Sequence, residues 1–435
     1  MKNLSIIGLG KLGSCMAAAY ASKGHNVTGI DINQKYVDAI NNGEPPVDEK
    51  DLAEYITHSR GRLRATIDYD DAIQNSEITF IIVPTPTDET GGFTSRYVQE
   101  SCKSIGKALR GKEGYHLVVL TSTLLPGACE EEVIPVLEKF SEKKCGKDFG
   151  FCYSPEFIAI GTVVHDLLNP DFFLLGEFDK KSGDVLEDFY NTIPDNGASC
   201  KRMNIKSAEL TKISINSFLT MKITYANMLA EIAENIQGVD VDDVTGALGS
   251  DKRIGKYYLR GGLGYGGPCF PRDNRAFAYM AKKRGVEVPF AERTDEYNKT
   301  IINRAIRFIT DNIRKDDPVG IVGLSYKPGT YFCEESQAIH IARRLSEDGY
   351  KVNVFEPCGH SHAKEFLGDS VYYCGDMREC IEESSLLFLS NMDKELLVLS
   401  QLLSDYGNKI VVDPWRQFDK DDFAYNVKYV TFGKG

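Results

Sequence analysis

Short apolar runs alternate with amphipathic stretches through the first half of the chain. Leu4–Ile7, Val27–Ile30, Ile78–Val83 and Leu117–Leu120 are rich in β-branched residues at consecutive positions, as in strands buried on both faces of a parallel sheet. Helical patterns over Leu12–Lys23, Gln34–Asn41 and Arg96–Leu109 separate them, and strand-like runs at Gly150–Tyr153 and Phe172–Leu175 continue the rhythm. This βαβ alternation predicts a doubly wound α/β domain. A second series begins at Asp317, with strands predicted over Val319–Val322, Lys351–Phe355, Leu386–Leu389 and Ile410–Val412 and a helix over Ser336–Asp348. The sequence alone does not show whether the two series share a fold.

Between them, Lys206–Gln237 runs for 32 residues without Gly or Pro. It predicts one helix of about 48 Å, stopped by Gly238, that connects two lobes or packs on a second copy of itself. Two shorter helices with an unmarked bend are the alternative. Arg260–Asp273 is a glycine-dense loop, and helix follows to about Arg314. The expected division is 1–205, 206–315 (central helical region with the loop) and 316–435.

Composition narrows the function classes. At 435 residues, about two to four domains are expected. Lys plus Arg number 51 against 63 Asp plus Glu, a net charge of −12, which disfavours nucleic acid as a partner. The apolar fraction of 42% is that of a globular chain, and no apolar run reaches membrane-spanning length. Met1–Lys2–Asn3 leads straight into a strand-like run with no apolar leader. Eleven cysteines, an odd number, are scattered from Cys15 to Cys380, unlike a secreted disulfide framework. A cytoplasmic protein with reduced thiols is expected.

The first βα turn reads Gly8-Leu9-Gly10-Lys11-Leu12-Gly13, a G-x-G-x-x-G fingerprint after a strand and before a helix. Asp31 ends the second strand, 23 residues after Gly8. A carboxylate there accepts from a ribose and repels a 2′-phosphate, so NAD is favoured over NADP. A glycine turn of purely structural use is the bland alternative. Val83-Pro84-Thr85-Pro86 sits at the end of a later strand, where such sheets meet their ligands, although a bare turn reads the same way.

Cys269 stands in the glycine loop with Arg272 and Asp273 close behind. A thiol beside a cation in an open loop is a candidate nucleophile; a glycine turn with an incidental cysteine competes. Lys212 and Asn216 are four residues apart on the long helix and share a face, among apolar neighbours. That face is either solvated or carries buried groups with a task. Cys358, His360 and His362 have no second ligand cluster nearby, so no metal is expected.

Taken together, Gly8–Gly13, Val83–Pro86, Ser122-Thr123, Ser154-Pro155-Glu156-Phe157, Ala208–Lys212, Gly264–Asp273 and Lys327-Pro328 resemble the UDP-glucose dehydrogenase group of NAD-dependent nucleotide-sugar 6-dehydrogenases, nearly end to end. The resemblance implies two Rossmann-like domains joined by a long central helix that builds a homodimer. It implies a four-electron oxidation of a sugar C6 alcohol by two NAD, through a thiohemiacetal and a thioester on Cys269. By position, Lys212 matches the group that stabilises alkoxide charge, and Asn216 and Asp273 match groups that orient the sugar and a water. Thr123 matches a residue near the nicotinamide, and Glu156 the acid–base residue of thioester hydrolysis. Lys11, Leu12, Lys35, Val83, Pro84 and Thr85 join Gly8, Gly10, Gly13, Asp31 and Thr123 in the implied cofactor set. Phe157, Tyr258, Leu259, Arg260, Tyr265, Gly266 and Phe270 join Lys212 and Asn216 around the nucleotide sugar. Lys327 matches a phosphate contact, Arg253 an arginine reaching a neighbouring subunit's site, and Arg416 a C-terminal arginine near the nucleotide.

Three segments depart from that pattern. Ile160 stands where the group often has a second Glu, Glu334 stands where an arginine usually meets the NAD phosphates, and Pro414-Trp415 replaces small or basic residues. UDP-glucose is the leading substrate reading. UDP-galactose, a UDP-N-acetylhexosamine or GDP-mannose keeps the chemistry. A non-catalytic nucleotide-sugar binder and a two-electron β-hydroxyacid dehydrogenase are the readings from other classes.

Overall fold

The apolar runs become strands because parallel strands covered on both faces leave no position for water. The structure is a computed structural model that describes residues 1–358, 360–392, 398–403 and 405–435. It divides into two compact units, Met1–Ser214 and Ile215–Gly435.

The first unit is built on β1 (Asn3–Ile7), β2 (Asn26–Ile30), β3 (Leu63–Thr66), β4 (Ile78–Ile81), β5 (Leu117–Leu120), β6 (Gly150–Tyr153), β7 (Phe173–Glu177) and β8 (Cys200–Asn204). Their order in the sheet is β3-β2-β1-β4-β5-β6-β7-β8. The alternation of the pleat sends Leu4 and Ile6 into one core and Ile7 into the other. Ser5 is also buried, and its hydroxyl meets Thr79 Oγ1 at 2.6 Å and Ser76 Oγ at 3.0 Å. His116 closes this polar cluster against Thr79 at 2.7 Å and the Ser76 carbonyl at 3.1 Å. Burial holds the His116 imidazole neutral, pushing its pKa down to about 3.

Two expectations are corrected here. The β6 and β7 pairing is antiparallel, not a continuation of the parallel series. The strand at Ile78 stops at Ile81 instead of Val83, because Val83 turns both its backbone groups to the Ser122 hydroxyl, at 2.9 and 2.7 Å.

Helix α1 (Lys11–Ser22) follows β1, and the long helix α2 (Ile205–Glu234) follows β8. The 30 residues of α2 span about 45 Å unbroken, so the two-helix alternative is not seen. The division between the units falls within it.

In the second unit α3 (Phe270–Lys283) and α4 (Pro289–Thr310) precede a six-stranded parallel sheet. Its strands are β9 (Val319–Val322), β10 (Val352–Phe355), β11 (Tyr372–Tyr373), β12 (Leu386–Leu389), β13 (Ile410–Asp413) and β14 (Lys428–Thr431), in the order β11-β10-β9-β12-β13-β14. Counted from β9, this is the order of the first six strands of the first sheet, and α5 (Gln337–Glu347) covers part of it.

The repeat extends to a detail. Asp31 accepts from the Leu9 N–H at 2.6 Å and the Asn33 N–H at 2.8 Å. At the equivalent strand end Glu356 accepts from the Leu324 N–H, from the Ser325 N–H at 2.7 Å and from the Cys358 N–H at 3.2 Å. The second turn does not open directly into a helix as the first does, since α5 begins only at Gln337.

Candidate active site

The dinucleotide turn is shaped by close approaches. Gly8 has φ +95°, and a Cβ on it would lie 2.1 Å from the Ile82 carbonyl oxygen. A Cβ on Gly13 would lie 1.8 Å from the Gly8 carbonyl oxygen, so only glycine lets α1 pack this near its strand. Over Gly10 the Cβ position is open, and no side chain caps the first turn of α1. An uncapped helix start with room above it suits a pyrophosphate. Asp31, tied to the same turn, keeps lone pairs for a ribose. These residues fit NAD. Lys11 and Leu12 are half-buried in the first turn of α1, while Lys35 is exposed one residue into the next helix. Val83 is half-buried, Pro84 exposed and Thr85 buried, and Thr123 is half-buried in the turn after β5.

Lys212, on the first unit's part of α2, is 8% exposed. Its ammonium donates to the Glu156 carbonyl at 2.5 Å and lies 4.6 Å from the centre of the Phe157 ring. A cation held this way is desolvated, which strengthens its field on nearby developing charge. Glu156 Oε1 is buried with no hydrogen-bond partner among the described residues. Burial raises the Glu156 carboxyl to about 7, against the pull of the Lys212 cation. The sequence missed Glu209, whose buried carboxylate accepts from the Gly127 N–H at 2.6 Å and the Cys129 N–H at 2.9 Å. It fastens α2 to the segment after Thr123. Its signal in the sequence was its place in the Ala208–Lys212 stretch, an acid between the apolar Ala208 and Leu210.

In the second unit the loop ends earlier than expected. Cys269 is the N-cap of α3, and Arg272 and Asp273 lie in the helix's first turn. Pro271 suits this, since proline is tolerated at a helix start. Cys269 is exposed at the end of a helix that attracts negative charge. Asp273 is 1% exposed. Its carboxylate accepts from the Asn216 amide at 2.6 Å and from the Arg272 guanidinium at 2.9 Å. Burial opposes the charge of Arg272, but Asp273, Cys269 and the exposed Glu334 more than offset it.

The remaining expected residues fall into three settings. Tyr258 (φ +62°) meets Phe270 edge to face at 6.1 Å, Leu259 is buried, and Arg260 reaches the Met392 sulfur and the Trp415 carbonyl. Tyr265 is buried with its hydroxyl 3.3 Å from Asp295, and Gly266 lies against the Glu335 backbone. Lys327 is half-buried after β9, and Arg253 is exposed and paired with Asp251 at 2.6 Å.

Arg416, expected near the nucleotide, makes its hydrogen bonds inside the second unit. It is buried, and its guanidinium is spent on Asp242 at 2.8 and 2.9 Å and on the carbonyls of Pro414, Phe432 and Gly261. Five donors engaged inside the protein leave none for a ligand.

Among the described residues no cluster of three or more His, Cys, Asp or Glu could hold a metal ion. No described helix is long and apolar enough to cross a membrane.

The NAD binding domain of the UDP-glucose/GDP-mannose dehydrogenase family matches residues 2–194, its central domain 206–300 and its UDP binding domain 320–420. The chain is 34% identical to a GDP-mannose 6-dehydrogenase of Pseudomonas savastanoi pv. phaseolicola, over 94% of this chain and 95% of that one. It is 31% identical to a UDP-glucose 6-dehydrogenase of Haloferax volcanii, over 94% and 96%. A solved UDP-glucose dehydrogenase from Pyrobaculum islandicum superposes with a TM-score of 0.90 at 31% identity, covering 100% of this chain and 98% of that one. The chain belongs to the UDP-glucose/GDP-mannose dehydrogenase family and is an NAD-dependent nucleotide-sugar dehydrogenase.

Proposed function

We propose that the protein oxidises the C6 alcohol of UDP-glucose to the carboxylate of UDP-glucuronate, with Cys269 as the covalent nucleophile. The observation that carries this is the exposed Cys269 at the start of α3, one helical turn before a buried Asp273 that Asn216 and Arg272 hold. NAD, bound at the turn of Gly8–Gly13 and Asp31, supplies the hydride acceptor, two per sugar. A two-electron dehydrogenase has no use for the thiol.

The residues divide the work. Lys212 stabilises negative charge on the sugar O6 while the alcohol loses its proton and hydride. The Cys269 thiolate then adds to the aldehyde carbon, giving a thiohemiacetal. Loss of a second hydride leaves a thioester. Glu156, as a carboxylate, takes a proton from water, which attacks the thioester carbonyl and expels the thiolate. Asn216 and Asp273 orient the sugar and that water. In sum, alcohol, two NAD⁺ and water become carboxylate, two NADH and three protons. With Ile160 four residues on, Glu156 serves hydrolysis alone.

Thr123, Lys11, Leu12, Lys35, Val83, Pro84 and Thr85 complete the cofactor site. Phe157, Tyr258, Leu259, Arg260, Tyr265, Gly266, Phe270 and Lys327 complete the nucleotide-sugar site. Arg253, exposed, serves a neighbouring subunit. The three-part division at 205 and 315 describes these duties. The homodimer forms through α2, where Phe218, Tyr225, Met228 and Ile232 leave an exposed apolar stripe. The acidic balance and the eleven cysteines fit a cytoplasmic enzyme.

The 34% identity to a GDP-mannose 6-dehydrogenase favours GDP-mannose as the second substrate reading. NADH release from a panel of nucleotide sugars tests the choice. The highest kcat/KM with UDP-glucose supports the first reading, and with GDP-mannose the second. No turnover with any of them contradicts both.

A further inference from the structure

The segment before Cys269, Gly261-Gly-Leu-Gly-Tyr-Gly266, is part of no helix or strand. Its buried backbone groups must find partners elsewhere. Two buried asparagines meet them. Asn227, on α2 and 1% exposed, accepts from the Gly262 N–H at 2.7 Å and donates to the Leu263 carbonyl at 3.0 Å. Asn298, on α4 and 7% exposed, accepts from the Tyr265 N–H at 2.9 Å and donates to the Tyr265 carbonyl at 3.0 Å. Gln337, at the start of α5, adds a second donor to the Tyr265 carbonyl at 3.2 Å. Glycine at 264 is part of the fit, since a Cβ there would lie 2.3 Å from Asn298 Oδ1.

Each asparagine thus does for the loop what a neighbouring strand does in a sheet, offering one donor and one acceptor to the main chain. A side-chain amide carries the donor and the acceptor on two separate atoms of one short stem, so it meets an N–H and a C=O at once. Aspartate, of the same shape, keeps the acceptor and turns a carboxylate oxygen towards a carbonyl. Cys269 itself has separate anchors. Its helix is tied through Asp273 to Asn216, and through Asn274, whose amide donates to the Ala291 carbonyl at 2.9 Å.

We infer that Asn227 and Asn298 are positioning residues. They hold the Gly262–Tyr265 backbone in the shape that receives the nucleotide sugar, while the thiol is placed independently by α3. The inference rests on the reading of this loop as the sugar-binding loop.

Two experiments on the full chain test it. The first is backbone amide hydrogen exchange of the ligand-free wild type. The Gly262 and Tyr265 amides should exchange about a hundredfold or more slowly than those of Gly264 and Gly266, because each donates to a buried oxygen. Equal rates overturn the clamp without need of any variant. The second is NADH formation against nucleotide-sugar concentration at saturating NAD. Asn298→Asp should raise KM for the sugar about tenfold or more and leave kcat within about threefold. A merely structural loss would lower kcat with the folded fraction and leave KM alone, and that result overturns the positioning role. Should Asn298→Asp not fold, Asn298→Ser, which keeps one of the two bonds, is read by the same split. If the wild type turns over no nucleotide sugar, the functional reading fails while amide protection still decides the clamp.

Discussion

Asn216 donates its side-chain amide to Asp273 Oδ2 at 2.6 Å, and Arg272 occupies the other oxygen of the same carboxylate. The pairing fastens the long helix to the first turn of α3, the turn that Cys269 caps. The cysteine is therefore seated on a helix end whose next turn is locked by a buried carboxylate. That is the rigidity a covalent catalyst requires of its nucleophile.

Replacing Cys269, the proposed nucleophile, separates the two halves of the proposed reaction. Cys269→Ala should lower net uronate formation roughly a thousandfold or more. Cys269→Ser should stall at an ester, visible as a mass increase of the intact protein. Normal uronate output from the Ala variant would remove the thioester from the scheme.

As the proposed base of thioester hydrolysis, Glu156 gives that step a pH signature. Burial lifts its carboxyl to about 7, so it is mainly protonated below that pH and mainly a base above it. Single-turnover thioester hydrolysis should rise about tenfold from pH 6 to pH 8 and then level off. Glu156→Gln should abolish the rise and let the acyl-enzyme accumulate. A flat profile in the wild type would assign the base elsewhere.

The Asp31 carboxylate holds the Leu9 and Asn33 N–H groups, and in the proposed cofactor site it also accepts from a ribose. Asp31→Ala should weaken NAD binding about 10–100-fold, the loss expected for charge-assisted hydrogen bonds. It should also narrow the preference for NAD over NADP. Titration calorimetry with both cofactors checks this, and unchanged NAD affinity would place the ribose elsewhere.

His116 makes the first unit acid-sensitive. Its pKa is near 6.5 in the unfolded chain and is pushed down to about 3 by burial in the native state. Between those values the unfolded state binds the extra proton, so stability falls as pH drops from about 6.5 towards 3. From pH 7 to pH 5 the loss from this group is on the order of 2 kcal/mol. Urea unfolding at both pH values measures it. His116→Gln should be less stable at pH 7 but show a flatter dependence.

The strands at Leu4, Val27, Ile78 and Leu117 were legible because burial on both faces leaves apolar runs free of charged residues. β3 and β8 were not, because they lie at the sheet's edges and are largely polar; on β8 Arg202 pairs with Glu177, Asp184 and Glu187. The G-x-G-x-x-G turn could be read since its glycines answer to local contacts. Arg416 could not, because its partner Asp242 lies 174 residues away and nothing nearby in sequence tells an internal guanidinium from a ligand's. The start of α3 was obscured by the Gly and Pro around Cys269. Asn227 and Asn298 carried no motif, since their task is set by a loop that reaches them only in the folded chain.

In the proposed reaction the sugar passes through two successive oxidations before release. The most direct measurement is NADH formed per UDP-glucose consumed, run to completion with purified protein and excess NAD. Two NADH per sugar, with UDP-glucuronate as the product, is the expected result. One NADH per sugar, with aldehyde released, would rule out the four-electron reaction.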